Sequence, residues 1–218
     1  MKVGLVADAH GNVFGLAAAL EQLELAGVHE ILFAGDVVGY HPFVNETIAA
    51  LRDSPARAVK GNHEAMLLGD IAADAERLAV YGLDHAQRVI TADNLEWLRG
   101  LPESLQLTLD GVLFSVYHGS PWAPLTEYVY PDHEGFDRFQ AMPPGIVVLG
   151  HTHRPLHHVV GGVTIVNPGS CGLPRDGVSG AAYAMVDTET GDIVQERVSY
   201  DDRMLDATLM NATETTPL

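Results

Sequence analysis

The chain has 218 residues, 47% of them hydrophobic, with 22 Gly and 12 Pro distributed along it; this suits one domain with a substantial core and excludes a fibrous or disordered composition. A formal net charge of −17 repels phosphate backbones and argues against broad nucleic-acid binding, although acids clustered with histidines behave differently once divalent cations occupy them. The single cysteine, Cys171, excludes an internal disulfide framework and any thiolate metal cluster within one chain.

In chain order, Met1 leads straight into a strand-like run, with no apolar stretch of leader or membrane length, which leads us to expect a cytoplasmic protein without a membrane partner. The stretch "VGLVADAHGN" reads as a buried strand ending in Asp8, His10 and Asn12. Val13 to Ala26 carries Leu16, Leu20 and Leu23 at helical spacing, with Gly27 as a stop. "EILFAGDVVG" ends in Gly35 and Asp36, and Pro42 is expected to open a helix through Ile48 and Leu51. "ARAVKGNHE" ends a shorter run in Gly61, Asn62, His63 and Glu64. Such strand–helix alternation predicts parallel crossover units, whose sites gather beyond the carboxyl ends of the strands.

Ala65 to Gly100 reads as helical and closes at Pro102. The second half is more antiparallel. Hairpins are expected at Asp110-Gly111 and Gly161-Gly162, and a last one near Gly191. Between them "VLFSVYHGS" ends in His118, "GIVVLGHTH" in His151 and His153, and "VTIVNPGS" in Asn167 and Ser170. The expected organisation is one domain over 1–200 and a mobile tail over 201–218.

Alternate residues of an extended segment point to one side, so Asp8 with His10, and His151 with His153, can each present two ligands from one strand end. Adding Asp36, Asn62 and His118 gives carboxylate, amide and imidazole donors without sulfur. That mixture suits Mn²⁺, Fe, Zn²⁺ or Ni²⁺, and one Asp can bridge two ions. Two ions about 3.5–4 Å apart can clamp a phosphoryl group and lower the pKa of a shared water. Taken singly, each residue has a plainer reading: Asp8 and Asp36 as helix N-caps, Asn62 as a turn residue, His118 as a core histidine.

Taken together, D-x-H (Asp8, His10), G-D (Gly35, Asp36), G-N-H-E (Gly61 to Glu64), H-G (His118, Gly119) and G-H-T-H (Gly150 to His153) stand in order from Lys2 to about Val198. This series closely resembles the calcineurin-like metallophosphoesterase superfamily, and "VNPGSCGLPRDG" is similar to a segment of its small bacterial and archaeal phosphodiesterase-like members. The resemblance implies an α/β fold, a four-layer α/β/β/α sandwich of two mixed β-sheets flanked by helices. It implies one divalent ion on Asp8, His10, Asp36 and His153, and a second on Asp36, Asn62, His118 and His151, with manganese as the first candidate. A hydroxide bridging the ions would attack phosphorus in line, and His63 would be a general acid or a cationic partner of the developing charge.

Asn12 and Arg175 are candidates for phosphate contact, with a helix cap and a surface ion pair as their equal alternatives. Trp122, Tyr128 and Tyr130 read as a packed loop in preference to a base-stacking platform. Protein Ser/Thr phosphatases of the superfamily carry G-D-x-V-D-R-G, whereas Gly39 and Tyr40 stand here in place of Asp and Arg. That departure points away from phosphoproteins and toward small phosphodiesters or phosphomonoesters, nucleotides among them. A phospho-aspartyl mechanism at Asp8 fails, because it wants a second Asp where His10 stands. A scaffold role like that of a retromer subunit sharing this fold would be marked by loss of motif histidines, and every expected position is filled. Homo-oligomerisation is compatible with all of these readings.

Overall fold

The apolar runs form strands whose alternate residues serve two different cores. In a computed structural model of the chain, in which residues 1–203 and 205 are described, ten strands make two five-stranded sheets. Most of the tail expected to be mobile lies outside the described residues. The first sheet has the order β10-β9-β1-β2-β3, from Ile193–Val198, Ala181–Asp187, Lys2–Val6, Glu30–Phe33 and Ala56–Ala58. The second has the order β4-β5-β6-β8-β7, from Ser104–Leu109, Val112–Tyr117, Gly145–Val148, Val163–Asn167 and Leu156–Val160. Both are mixed. β1, β2 and β3 run parallel, as do β5, β6 and β8, while β9 and β10 in the first sheet and β4 and β7 in the second pair antiparallel.

The two sheets pack face to face through Val3, Leu5, Leu32, Phe114, Val116, Ile146, Val148, Val166 and Val186. The residues between these point outward. Val6, Ile31 and Phe33 meet the helices, and Tyr117, Val147 and Leu149 meet the opposite layer. This is why the central runs read as uniformly apolar: β1, β2, β6 and β8 are covered on both faces, whereas the edge strands β4, β7 and β10 alternate. The architecture is the expected four-layer α/β sandwich. Over the first sheet lie α1 (Val13–Leu25), α2 (Val44–Asp53), α3 (Asn62–Leu68), α5 (Leu83–Val89) and α6 (Ala92–Arg99). Over the second, a short 3₁₀ helix at Phe136–Ala141 and its flanking loop supply the cover, with Phe136 and Phe139 buried.

Two local expectations are refined. The helical stretch after Ala65 is four separate helices, α3, α4 (Ala75–Val80), α5 and α6. Left-handed Gly69 ends the first, Asp74 caps the second, Gly82 at φ 66° precedes the third, and Thr91 caps the fourth. Pro42 stands ahead of α2, where its carbonyl accepts from the Val44 N–H at 2.9 Å. The hairpins fall where expected: Asp110 and Gly111, then Gly161 and Gly162, all have positive φ as a two-residue type I′ turn demands.

α1 lies on the first sheet through Gly15, Leu16, Ala19 and Leu23, one face of the helix. At Gly15 the contact is so close that an added Cβ would sit 2.2 Å from the Cys171 carbonyl oxygen. Alanine in a helix ordinarily gains about 1 kcal/mol over glycine. Here we expect Gly15→Ala to lose about 1–3 kcal/mol by overpacking, read as a lower urea midpoint. A raised midpoint would show that α1 and the Cys171 loop can separate without cost.

Candidate active site

The parallel strands of both sheets end at a common edge, and the loops leaving them are stitched together there. Asp8 N–H donates to the Gly35 carbonyl, His10 N–H to that of Asp36, and Gly150 N–H to that of His118. Asp8, His10, Asp36, His151 and His153 all have positive φ, between 49° and 69°. For non-glycine residues this left-handed backbone is uncommon and costs energy, and it concentrates at functional sites. It turns successive side chains back over the sheet edge instead of letting them splay.

The result is a buried cluster. Asp8, His10, Asp36, His118, His151 and His153 are each at most 6% exposed, and Asn62 is half-buried. His10 Nε2 and His153 Nε2 are 2.9 Å apart, and Asp8 Oδ1 is 3.7 Å from the latter. On the other side, His118 Nε2 lies 2.9 Å from Asn62 Oδ1 and 3.0 Å from His151 Nδ1. Asp36 stands between the halves, its Oδ2 3.6 Å from His10 Nε2 and 3.3 Å from His118 Nε2. Asp8, His10 and His153 form one group able to hold a metal ion, and Asp36, His118 and His151 form another. His63 makes a third such group with His10 and Asp36.

The donor chemistry fits cations. His10 Nδ1 faces the Val38 carbonyl at 3.1 Å and His153 Nδ1 that of Leu173 at 2.6 Å, and a carbonyl only accepts. Both Nδ1 atoms therefore carry the proton, and the two Nε2 lone pairs face each other. Burial holds His153 and His151 at about 3 and His10 well below its ordinary value, so these rings are neutral. Two lone pairs at 2.9 Å have no hydrogen to share. A cation between them satisfies both. His118 Nδ1 is likewise spent on the Ala34 carbonyl at 2.8 Å, leaving Nε2 for the second group. Burial opposes charge on His118, but Asp36 beside it pushes its pKa up to about 9, and burial raises Asp8 to about 8. Without an ion, protons take the positions that metal charge would fill.

Around the cluster, buried groups fix its loops. Glu64 accepts the N–H groups of Asp36, Val38 and Gly61, at 2.8, 3.0 and 2.8 Å. Glu64 stands three residues after the cap Gly61, a helix-start signature legible in the sequence. Gly61 itself admits no side chain, since a Cβ would stand 2.1 Å from Asp36 Oδ1. The "NPGS" segment buttresses the other half. Asn167 donates to the Gly150 carbonyl at 2.6 Å, and Ser170 donates to the Asp8 carbonyl at 2.7 Å.

Asn12 is corrected. Its Oδ1 accepts from the Gly15 N–H at 3.0 Å, and its amide donates to the Gly172 carbonyl and the Tyr200 hydroxyl. It is fully buried, so it is the α1 cap and has no hydrogen left for phosphate. Arg175 takes neither the ion-pair alternative nor a remote position. Its guanidinium donates to the Tyr40 hydroxyl at 2.9 Å and lines the narrow opening with Asp36, Asn62, His63 and His153. His63 is buried with Nδ1 unpaired, and its ring occupies the space where a Gly39 Cβ would be, 2.2 Å from Nδ1. Burial lowers its pKa.

Sequence reasoning missed the aromatic rim. Tyr128 stacks on His151 with centroids 3.8 Å apart at 21°, and Tyr40 and Tyr81 both pack on His63. Only the run "EYVY" hinted at Tyr128; nothing local marked Tyr81. Among the described residues no helix is long and apolar enough to cross a membrane.

Comparison with known proteins agrees with this geometry. An uncharacterized protein of Methanocaldococcus jannaschii is 30% identical over 218 residues, covering 91% of this chain and 88% of that protein. A phosphodiesterase of the same organism is 23% identical over 192 residues, covering 82% and 92%. The crystal structure of a metallophosphoesterase from Sphaerobacter thermophilus superposes with a TM-score of 0.83 at 28% identity, over 98% of this chain and 94% of that one. Residues 1–191 match the model of the calcineurin-like phosphoesterase superfamily domain, and the chain belongs to that superfamily.

Proposed function

We propose that the protein is a metal-dependent phosphoesterase that hydrolyses small-molecule phosphodiesters or phosphomonoesters in the cytoplasm, through a single domain spanning 1–200. One observation carries the reading: two buried groups of potential metal ligands meet at a single carboxylate oxygen, Asp36 Oδ2, 3.6 Å from His10 Nε2 in one and 3.3 Å from His118 Nε2 in the other. Asp8, His10, Asp36 and His153 would hold one divalent ion, and Asp36, Asn62, His118 and His151 the other. Manganese is the first candidate, with Fe, Zn²⁺ or Ni²⁺ compatible with the same nitrogen and oxygen donors. When bound, such a pair polarises the phosphoryl oxygens and makes a water nucleophilic at neutral pH.

The chain's own groups do the rest. The narrow opening, about 50 Å³, admits a phosphoryl group and little more. His63 Nε2 lies 3.9 Å from Asp36 Oδ2, outside the closest ligand atoms, where it can donate to the oxygen that leaves. Arg175 reaches the same opening from the segment after "NPGS" and can donate to the nonbridging oxygens. It supplies from elsewhere in the chain the guanidinium that Tyr40 replaces in the protein-phosphatase motif. The similar Methanocaldococcus phosphodiesterase supports a phosphodiester substrate.

p-Nitrophenyl esters of phosphate should be hydrolysed with Mn²⁺ or a related ion and not after EDTA, while phosphopeptides turn over more slowly. A screen of esters against several divalent metals checks this, and equal turnover of phosphopeptides would overturn the preference.

Asp36→Asn should weaken both ions together, whereas His10→Ala should mainly weaken one. Calorimetric titration of each variant with Mn²⁺ decides it; two undiminished binding steps in Asp36→Asn would remove the bridge.

His63→Gln should keep the fold and the metals and lose about 10²–10⁴-fold in kcat with alkyl esters. With p-nitrophenyl esters, whose leaving group scarcely needs a proton, the loss should be much smaller. Equal losses would show charge stabilisation in place of proton donation.

A further inference from the structure

A second cavity, of about 200 Å³, opens beside the cluster and shares Asn62, Tyr81, Tyr128 and His151 with the narrow opening above Asp36. Its remaining lining is mostly apolar, with Met66, Ile71 and Leu125, and Arg77 contributes a cation. Met66 is 6% exposed, so this floor is set by the packing of α3 and not by a floating side chain. The two tyrosines are oriented by the site itself. Tyr128 stacks on His151 at 3.8 Å, and Tyr81 packs on His63 at 4.8 Å and 33°. Tyr128 nevertheless leaves 45% of its surface to solvent on a chain of net charge −17. Aromatic faces at the mouth of a polar site favour a flat partner.

We infer that this cavity receives the ester group that stays on phosphorus, and that the substrate is a phosphodiester whose retained group carries a planar aromatic ring, as in aryl and nucleoside esters. The inference rests on the phosphoesterase reading and narrows it. Size permits it, since an apolar cavity of about 150 Å³ suffices for benzene. Position selects the retained group: the cavity borders Asn62 and His151 but not His63, which lines the narrow opening, where on the phosphoesterase reading it would donate to the leaving oxygen. A phosphomonoester would place nothing in it. Arg77 supplies donors suited to ring heteroatoms, which a plain hydrocarbon would not use.

Phenyl p-nitrophenyl phosphate and methyl p-nitrophenyl phosphate share a leaving group and differ only in what is retained. With Mn²⁺, kcat/KM should be about tenfold or more higher for the phenyl ester. Leu125→Trp and Ile71→Trp, two separate ways of filling the cavity, should bring the ratio to within about twofold, with folding checked by circular dichroism. Independently of turnover, phenylphosphonate should shift the Met66 signal of methyl-¹³C-methionine protein, assigned with Met66→Leu, and methylphosphonate should not. A wild-type ratio near one, a ratio unchanged in both filled variants, or no phenyl-specific shift at Met66 would overturn the inference. Failure to hydrolyse any ester with any metal would instead defeat the phosphoesterase reading, and the Met66 titration would still decide what the cavity binds.

Discussion

Everything at the site follows from lone pairs forced together in a buried space. His10 and His153 turn unprotonated nitrogens toward each other at 2.9 Å, and His118 Nε2 is packed against Asn62 Oδ1 and His151 Nδ1 at 2.9 and 3.0 Å. A buried polar group without a partner costs about 1–3 kcal/mol, and several are gathered here. The arrangement persists because the rest of the molecule holds each ring from behind. The Val38, Leu173 and Ala34 carbonyls take the Nδ1 protons of His10, His153 and His118. Such outer partners set which nitrogen a cation meets and how basic it is.

The strain extends to the backbone. The left-handed turns at Asp8, His10, Asp36, His151 and His153 are tolerated because they sit where strands of two packed sheets end. The core between the sheets fixes the strand ends, and the loops have only short distances to cross. Glu64 gathers three backbone N–H groups from two of those loops, and Asn167 and Ser170 brace the others. Preorganisation of this kind is what a site for charge stabilisation requires.

The region around His63 shows how one departure from a motif alters a whole neighbourhood. With Gly39 where an Asp would stand, the imidazole fills the vacated space and its Nδ1 is left without a partner. Tyr40 then takes the adjoining position, packs on His63, and receives a hydrogen bond from Arg175. A cation distant in sequence thus borders the same opening. The aromatic rim and the cavity between Tyr81 and Tyr128 belong to this rearranged side of the site.

Much was legible from sequence because it is local. Apolar runs and turn residues with forced φ each state their requirement within a short segment, whereas Asp8, His10, His151 and His153 lie beyond the strand ends in left-handed backbone, so strand alternation is not what brings them together. Their order along the chain was enough to reveal the family and the layers. Other features depend on loops far apart in the chain meeting in space. Asn12 could cap or touch phosphate until Gly172 and Tyr200 took its amide hydrogens. Arg175 could pair on the surface until Tyr40 met it across 135 positions. Tyr81 and Tyr128 are ordinary residues until the fold lays them against His63 and His151. Spacing along a strand or helix fixes which groups can point together; only the packing of the two sheets decides which of those groups meet, and at what distance.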